Sequence, residues 1–330
     1  MATIKDIARM AGVAPSVVSR ALNNKYGVKN ETKEQILHIA RELDYYPNTA
    51  ARSLVTRKSE TIGIVMADIS EPFYSLIIKG MEYVSNQTGY TLLFSNSFES
   101  LEHGRVLQKM VDAERVDGLV IVGSNIKEKN FVYRLIQREV PFVLIERNFL
   151  DPRVNCIWSD NIKGAYNATK YLIDKGHFRI AHISGNLDFQ VALDRLEGYK
   201  NALRDHNVPF FEELVTIGKF EWQDGYTAMK ALLNYKPHCS AVFVSNDSMT
   251  YGAMQAIHEA GLKIPHDIAV VGYDDLQFSG LINPPLTTIR QPRFEMGQKA
   301  MEVMIDALQS ANHKPTKICL ETEIIVRNSA

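Results

Sequence analysis

Ten lysines and arginines fall within the first 58 residues, against five acids, so this stretch carries +5 while the rest of the chain carries −6. The total of −1 over 330 residues hides that asymmetry. A cationic head of this density can neutralise phosphates without making the whole molecule adhesive. Single lysines such as Lys33 read equally well as solvated helix surface. Other chemistries find little to work with. The nine histidines are dispersed, and none stands at a recognised spacing from a Ser or Cys nucleophile. No Gly-rich phosphate loop, metalloprotease helix or nucleophile elbow is present, which speaks against an enzyme. Cys156, Cys239 and Cys319 lack a C-x-x-C or His partner and read as small apolar residues, with no metal site and no disulfide framework.

The elements that position the cations follow from spacing. In MATIKDIARMAGVAPSVVSRALN, Ile7, Ala11, Val18 and Leu22 share inward faces at helical intervals, and Ala8 is small where two helices cross. Gly12 supplies the turn, Val13 an anchor, and Pro15 suits the first position of the second helix. Ala14 is a poor N-cap. This is a helix-turn-helix pattern, whose second helix presents its N-terminal side chains to base edges in the major groove. Taken alone, the segment also reads as a generic short helical pair.

After Lys58 short β-branched runs alternate with amphipathic helices. Strands are expected at 61–67, 90–95, 118–122, 142–146, near 156–159, and at 180–184, 241–245 and 268–273. Helices are expected at 72–87, 101–114, 128–138, 162–175, 192–206, 222–234 and 248–260. Near-continuous apolar strands separated by helices imply parallel sheets covered on both faces. Two such series predict two doubly wound lobes, with a ligand cleft outside the strand ends. Asp68, Asp160, Asn246-Asp247 and Asp274-Asp275 cluster at those ends, where each reads as a helix cap or as a ligand residue. The N-terminus lacks a signal peptide and no apolar run reaches membrane-spanning length, so a cytoplasmic, nucleoid-associated protein that contacts no membrane is expected.

The ordered series TIKDIARMAGV, SVVSRALNN, YYPNTAARSL, TIGIV, DISEPFY, RVDGLVI, DRLEGY, SNDSMTYGAMQA, VVGYDD and PPLTTIRQP resembles the LacI/GalR family of bacterial transcriptional repressors across essentially the whole chain. The resemblance implies an all-α helix-turn-helix head (1–47), a hinge helix and linker (48–58), and an α/β periplasmic-binding-protein-like core (59–330). Within that core it implies an N-lobe of about 60–160 and 292–318 and a C-lobe of about 161–291 and 319–330. It implies a homodimer on a double-stranded, pseudo-palindromic operator. Pro15, Ser16 and Arg20 match base-facing positions, and Leu54 matches the hinge leucine that wedges into the minor groove. For Arg20 a phosphate contact stays open, and the Leu54 segment also reads as a linker with a core leucine. Thr3, Ser19, Asn23, Tyr45 and Asn48 match phosphate-holding positions.

In the core, Phe73, Arg195, Phe220, Asn246, Asp274 and Gln291 match effector positions. Asp160, at a strand end, joins them, and Arg147 and Trp222 are placed along the same cleft. A surface salt bridge with Asp194 or Glu197 is the other reading of Arg195. Phe189 stands where the purine-binding branch would offer a basic residue, so the effector is expected to be a small neutral sugar, a mono- or disaccharide. A purine corepressor, a protein partner, or a plain solute-binding protein are the alternatives. No cofactor is implied.

Overall fold

The structure, a computed structural model, describes residues 2–22, 26–45, 58–96, 115–123, 125–126, 129–236, 238–310 and 312–330. It divides into two compact units, 1–59 and 60–330.

The first unit holds α1 (Ile4–Ala11), α2 (Pro15–Leu22) and α3 (Asn30–Glu42). Thr3 starts α1 with a capping box: its Oγ1 accepts the Asp6 N–H at 3.3 Å, and the Asp6 carboxylate accepts the Thr3 N–H at 3.0 Å. The helix stops at Gly12, whose φ of 66° turns its N–H back to the Ala8 carbonyl. Pro15 opens α2 as expected, and the Ala14 carbonyl takes the Val17 and Val18 N–H groups at 2.9 and 3.3 Å. Ile7, Val18 and Ile36 are fully buried at the centre, ringed by Ala8, Ala21, Ile39 and Ala40. Ala11, Val13 and Leu22, expected inside, pack at the edge of this small core and stay partly exposed. The expected hinge helix, with Asn48 and Leu54, and also Asn23, lie outside the described residues.

The second unit carries two six-stranded sheets. Its N-lobe contains β1 (Thr61–Met66), α4 (Tyr74–Thr88), β2 (Thr91–Asn96), β3 (Gly118–Val122), α5 (Lys129–Gln137), β4 (Phe142–Ile145) and β5 (Asn155–Ser159). The chain then passes to the C-lobe: α6 (Asn161–Asp174), β6 (Ile180–Ser184), α7 (Gln190–Asp205), β7 (Val215–Ile217), α8 (Trp222–Leu232), β8 (Ala241–Val244), α9 (Asp247–Glu259), β9 (Ala269–Asp274) and β10 (Thr287–Arg290). It returns as α10 (Arg293–Gln309) and β11 (Lys317–Leu320) to the N-lobe, and ends with β12 (Glu323–Ile325) in the C-lobe. The sheet orders are β11-β5-β4-β3-β1-β2, all parallel, and β12-β10-β9-β8-β6-β7, parallel except for β12 on β10. The helix expected at 101–114 lies outside the described residues.

The central strands of each sheet are covered on both faces, which is why β1, β3, β4, β6, β8 and β9 are apolar with little alternation. Helix pairs close tightly over them. In the C-lobe, α8 and α9 cross at Gly225 and Gly252, where a Cβ on either would run into the other helix's backbone, the Met249 and Trp222 carbonyls. Among the described residues the chain crosses between lobes at 159–161, 290–293 and 320–323, so the first residues past these sheet edges face the space between the lobes.

Candidate functional site

On the head, Pro15, Ser16 and Arg20 form the exposed side of α2 opposite Val18 and Ala21, and Ser19 is half-buried beside them. The exposed Arg20 runs along its own helix, its Nε 3.4 Å from the Ser16 carbonyl, and among the described residues no acid is paired to it. Thr3 is exposed at the start of α1 with its hydroxyl engaged by Asp6, and Tyr45 packs its ring against the head core. The exposed face of α2 thus carries Pro15 and Ser16 in its first turn and the Arg20 guanidinium in its last.

In the core unit, β1, β4 and β9 end on a cavity of about 150 Å³ between the lobes. The structure brings five of the nine expected effector residues to it: Phe73, Arg195, Phe220, Asn246 and Asp274. Arg195 is 2% exposed. Its Nε donates to Asn161 Oδ1 at 2.9 Å, its Nη1 to the Ser245 carbonyl at 2.6 Å, and its Nη2 lies 3.7 Å from Asp274. The guanidinium stacks over Tyr273 at 4.0 Å. A surface bridge to Asp194 or Glu197 is therefore not what holds it; the i, i+4 face of α7 points inward here, not to water. Asn246 caps α9 through Met249 N–H at 3.0 Å and donates to the Phe220 carbonyl at 2.9 Å, so one side chain fixes both a helix start and the cavity wall.

The other four sit elsewhere. Gln291 stands behind the cavity and donates to Asp274 Oδ1 at 2.7 Å. Arg147 is buried under the loop at 125–126, its Nη1 donating to the Asn125 carbonyl at 2.9 Å. That loop reaches the C-lobe, where the Ile126 N–H meets the Asp188 carbonyl at 2.8 Å, so Arg147 braces a clasp between lobes. Asp160 caps α6 by accepting the Lys163 N–H at 2.9 Å and does not line the cavity. Trp222 lies beyond the small cavity, on a larger neighbouring one.

Sequence reasoning missed Glu71, Glu146, Tyr74 and Lys219, all of which line the small cavity. Burial pushes Glu146 up to about 8, against the pull of the Arg195 guanidinium. It pushes Glu71 up to about 7, against the hydrogen bond from Ser248 Oγ at 3.0 Å, and Asp274 up to about 6, against Arg195 and Arg293. Glu146 was findable, since it follows the all-apolar β4 just as the aspartates follow their strands. Glu71 carried no such signal. Glu146, Phe220 and Asp274 all hold positive φ, of 66°, 78° and 113°, a conformation that costs non-glycine residues about 1–3 kcal/mol and gathers at ligand sites. Among the described residues no group of His, Cys, Asp and Glu is arranged to hold a metal, and no helix is long and apolar enough to cross a membrane.

Residues 3–48 match the family described as bacterial regulatory proteins, lacI family, and residues 59–326 match that of periplasmic binding proteins and the sugar binding domain of the LacI family. The probable HTH-type transcriptional repressor ExuR of Bacillus subtilis (strain 168) is 35% identical over 333 residues, covering 100% of this chain and 98% of that protein. The HTH-type transcriptional repressor PurR of Vibrio vulnificus (strain CMCP6) is 33% identical over 329 residues, with the same shares. Among solved structures, the lac repressor dimer bound to operator and the anti-inducer ONPF superposes with a TM-score of 0.91 at 27% identity, covering 99% of this chain and 98% of that one. A complex of the transcriptional regulator CelR with cellobiose gives 0.78 at 31% identity over the full length of both. With a helix-turn-helix head, a two-lobed core and full-length likeness to repressors, this chain belongs to the LacI family of DNA-binding transcriptional repressors and is not an enzyme.

Proposed function

We propose that the chain acts as a homodimer on a pseudo-palindromic duplex and is controlled by a small neutral sugar held between its lobes. The observation that carries the effector reading is the lining of the small cavity. Five carboxyl groups, Asp68, Glu71, Glu146, Glu221 and Asp274, face two cations, Arg195 and Lys219. An anionic ligand meets net repulsion there, and a polyol meets acceptors for its hydroxyl protons with Arg195 and Asn246 as donors. Phe73, Phe189 and Phe220 supply apolar wall, the last two rings meeting edge to face at 6.1 Å between centroids. Phe189 supports a neutral ligand further, because it brings bulk and no charge.

On the DNA side, Pro15, Ser16 and Arg20 are the base-facing set, with Leu54 as the minor-groove wedge. Thr3, Ser19, Asn23, Tyr45 and Asn48 hold phosphates. The domain limits follow the family pattern, with head 1–47, hinge 48–58 and core 59–330. A sugar that prefers one lobe arrangement shifts the spacing of the two hinges and thereby operator affinity; it moves the equilibrium only by its preference for that state. Calorimetry on the whole chain with a panel of neutral sugars, alongside guanine and hypoxanthine, tests the effector class. Saturable heat with a sugar is expected; heat confined to the purines overturns the reading in favour of a purine corepressor.

A further inference from the structure

A second cavity, of about 760 Å³, adjoins the first and shares Glu71 and Glu221 with it as common wall. Its size decides something. The 150 Å³ cavity lies below the ~300–1,000 Å³ usual for small-molecule sites, whereas the larger cavity falls within that range. The larger cavity is bounded by the beginning of α4, by α8 and α9, and by the loop after β9. Trp222, the first residue of α8, is 46% exposed there, and Phe278 is 57% exposed. Exposed rings that line one cavity, here together with Tyr251, mark a binding surface more strongly than scattered ones do. Polar groups accompany them: Ser75, Gln255 and Arg293.

Arg293 gives an independent pointer. The residue is 6% exposed, its Nη2 donates to the Asp275 carbonyl at 2.9 Å, and its guanidinium lies 5.8 Å from the Phe73 ring of the first cavity. Its Nε is buried without a hydrogen-bond partner. Leaving such a donor unmet costs about 1–3 kcal/mol, and a ligand oxygen at the junction of the cavities would meet it.

We propose that the larger cavity is a second glycosyl subsite, so that the effector is a neutral disaccharide or longer saccharide. One ring lies against Phe73, Arg195 and Asp274, the next stacks on Trp222, and Glu71 and Arg293 flank the linkage. The apolar face of a pyranose over an indole and the flanking hydroxyls over Gln255 and Ser75 suit this lining. This rests on the sugar reading of the first cavity, and the test separates the two.

Full-length protein is titrated calorimetrically with cellobiose, maltose, lactose, melibiose and trehalose, and with glucose and galactose. At least one disaccharide is expected to bind tenfold or more tighter than its constituent monosaccharides, and Trp222→Ala to close that gap. Gln255→Ala serves as a second variant, with a smaller loss for the disaccharide, and the melting temperature of each variant checks its fold. In Trp158→Phe protein, where Trp222 is the only indole, the disaccharide should shift the emission and the monosaccharide should not. Monosaccharides that bind as tightly as every disaccharide, or a Trp222→Ala loss equal for both, overturn the second subsite while leaving the sugar reading intact. Failure of every saccharide removes both.

Discussion

Replacing Arg195 by Met tests how the core holds its cleft. Methionine keeps much of the apolar stem and removes the guanidinium. Asn161 Oδ1 and the Ser245 carbonyl then lose the Arg195 donor, and the Asp274 carboxylate loses its nearest cation while keeping the Gln291 hydrogen bond. Removing one side of a buried pair costs about 3–5 kcal/mol when the other charge stays behind. Here that charge has an escape. Asp274 already titrates near 6 and Glu146 near 8 with Arg195 present, and Arg195 lowers both. Without it both rise further and take up protons. Near pH 8 the variant should therefore lose about 3–5 kcal/mol in urea unfolding. Near pH 5, where both carboxyls are mostly protonated in either protein, only the unmet acceptors remain and the loss should shrink to roughly 2 kcal/mol. A loss below about 1 kcal/mol at pH 8, or one that does not change with pH, would refute the pairing argument.

Three further outcomes follow from the same geometry. Wild-type core stability should fall as pH rises from about 5 to 8.5, read as a falling melting temperature. Glu71, Glu146, Asp247 and Asp274 all titrate higher folded than unfolded, so the folded state binds more protons in that window and the gain present at low pH is lost as each ionises; a flat profile contradicts those shifts. Gly252→Ala should cost 2 kcal/mol or more in chemical unfolding, because its Cβ meets the Trp222 backbone and not a yielding side chain, and a neutral result would mean that α8 and α9 can part freely. Thr3→Ala should cost the head about 1 kcal/mol through the lost cap, seen in the head's own thermal transition; no change would show that the capping box is not formed in solution.

Local pattern exposed much of this fold and only part of its site. β3 and β6 occupy the very residues expected, 118–122 and 180–184, because strands buried on both faces leave uninterrupted apolar runs. α4 stops at Gly89 as its sequence requires. The alternation read from sequence ended at 273 and named neither β10 nor α10, and β7 was also passed over. Three- and four-residue strands carry too little periodicity to stand out, and the neighbours of α10 in the chain, β10 and β11, belong to different sheets. Site residues divide by the same logic. Arg195, Asn246 and Asp274 fell on family positions, whereas Glu71 joins them only because α9 of the other lobe brings Ser248 against it. Asp160 and Arg147 were both expected in the cleft, yet one caps a helix and the other braces a loop. Sequence spacing does not distinguish a cap from a ligand group; the burial and the partner do.

The central claim is that a solute between the lobes controls the grip of the head on DNA. Its most direct test is fluorescence anisotropy with a duplex selected from a random pool by the full-length protein, titrated with and without the saccharide that calorimetry identifies. Affinity for the duplex should fall steeply with salt and should change about 5-fold or more when the saccharide saturates the core. An affinity that is identical with and without the bound saccharide would contradict the account.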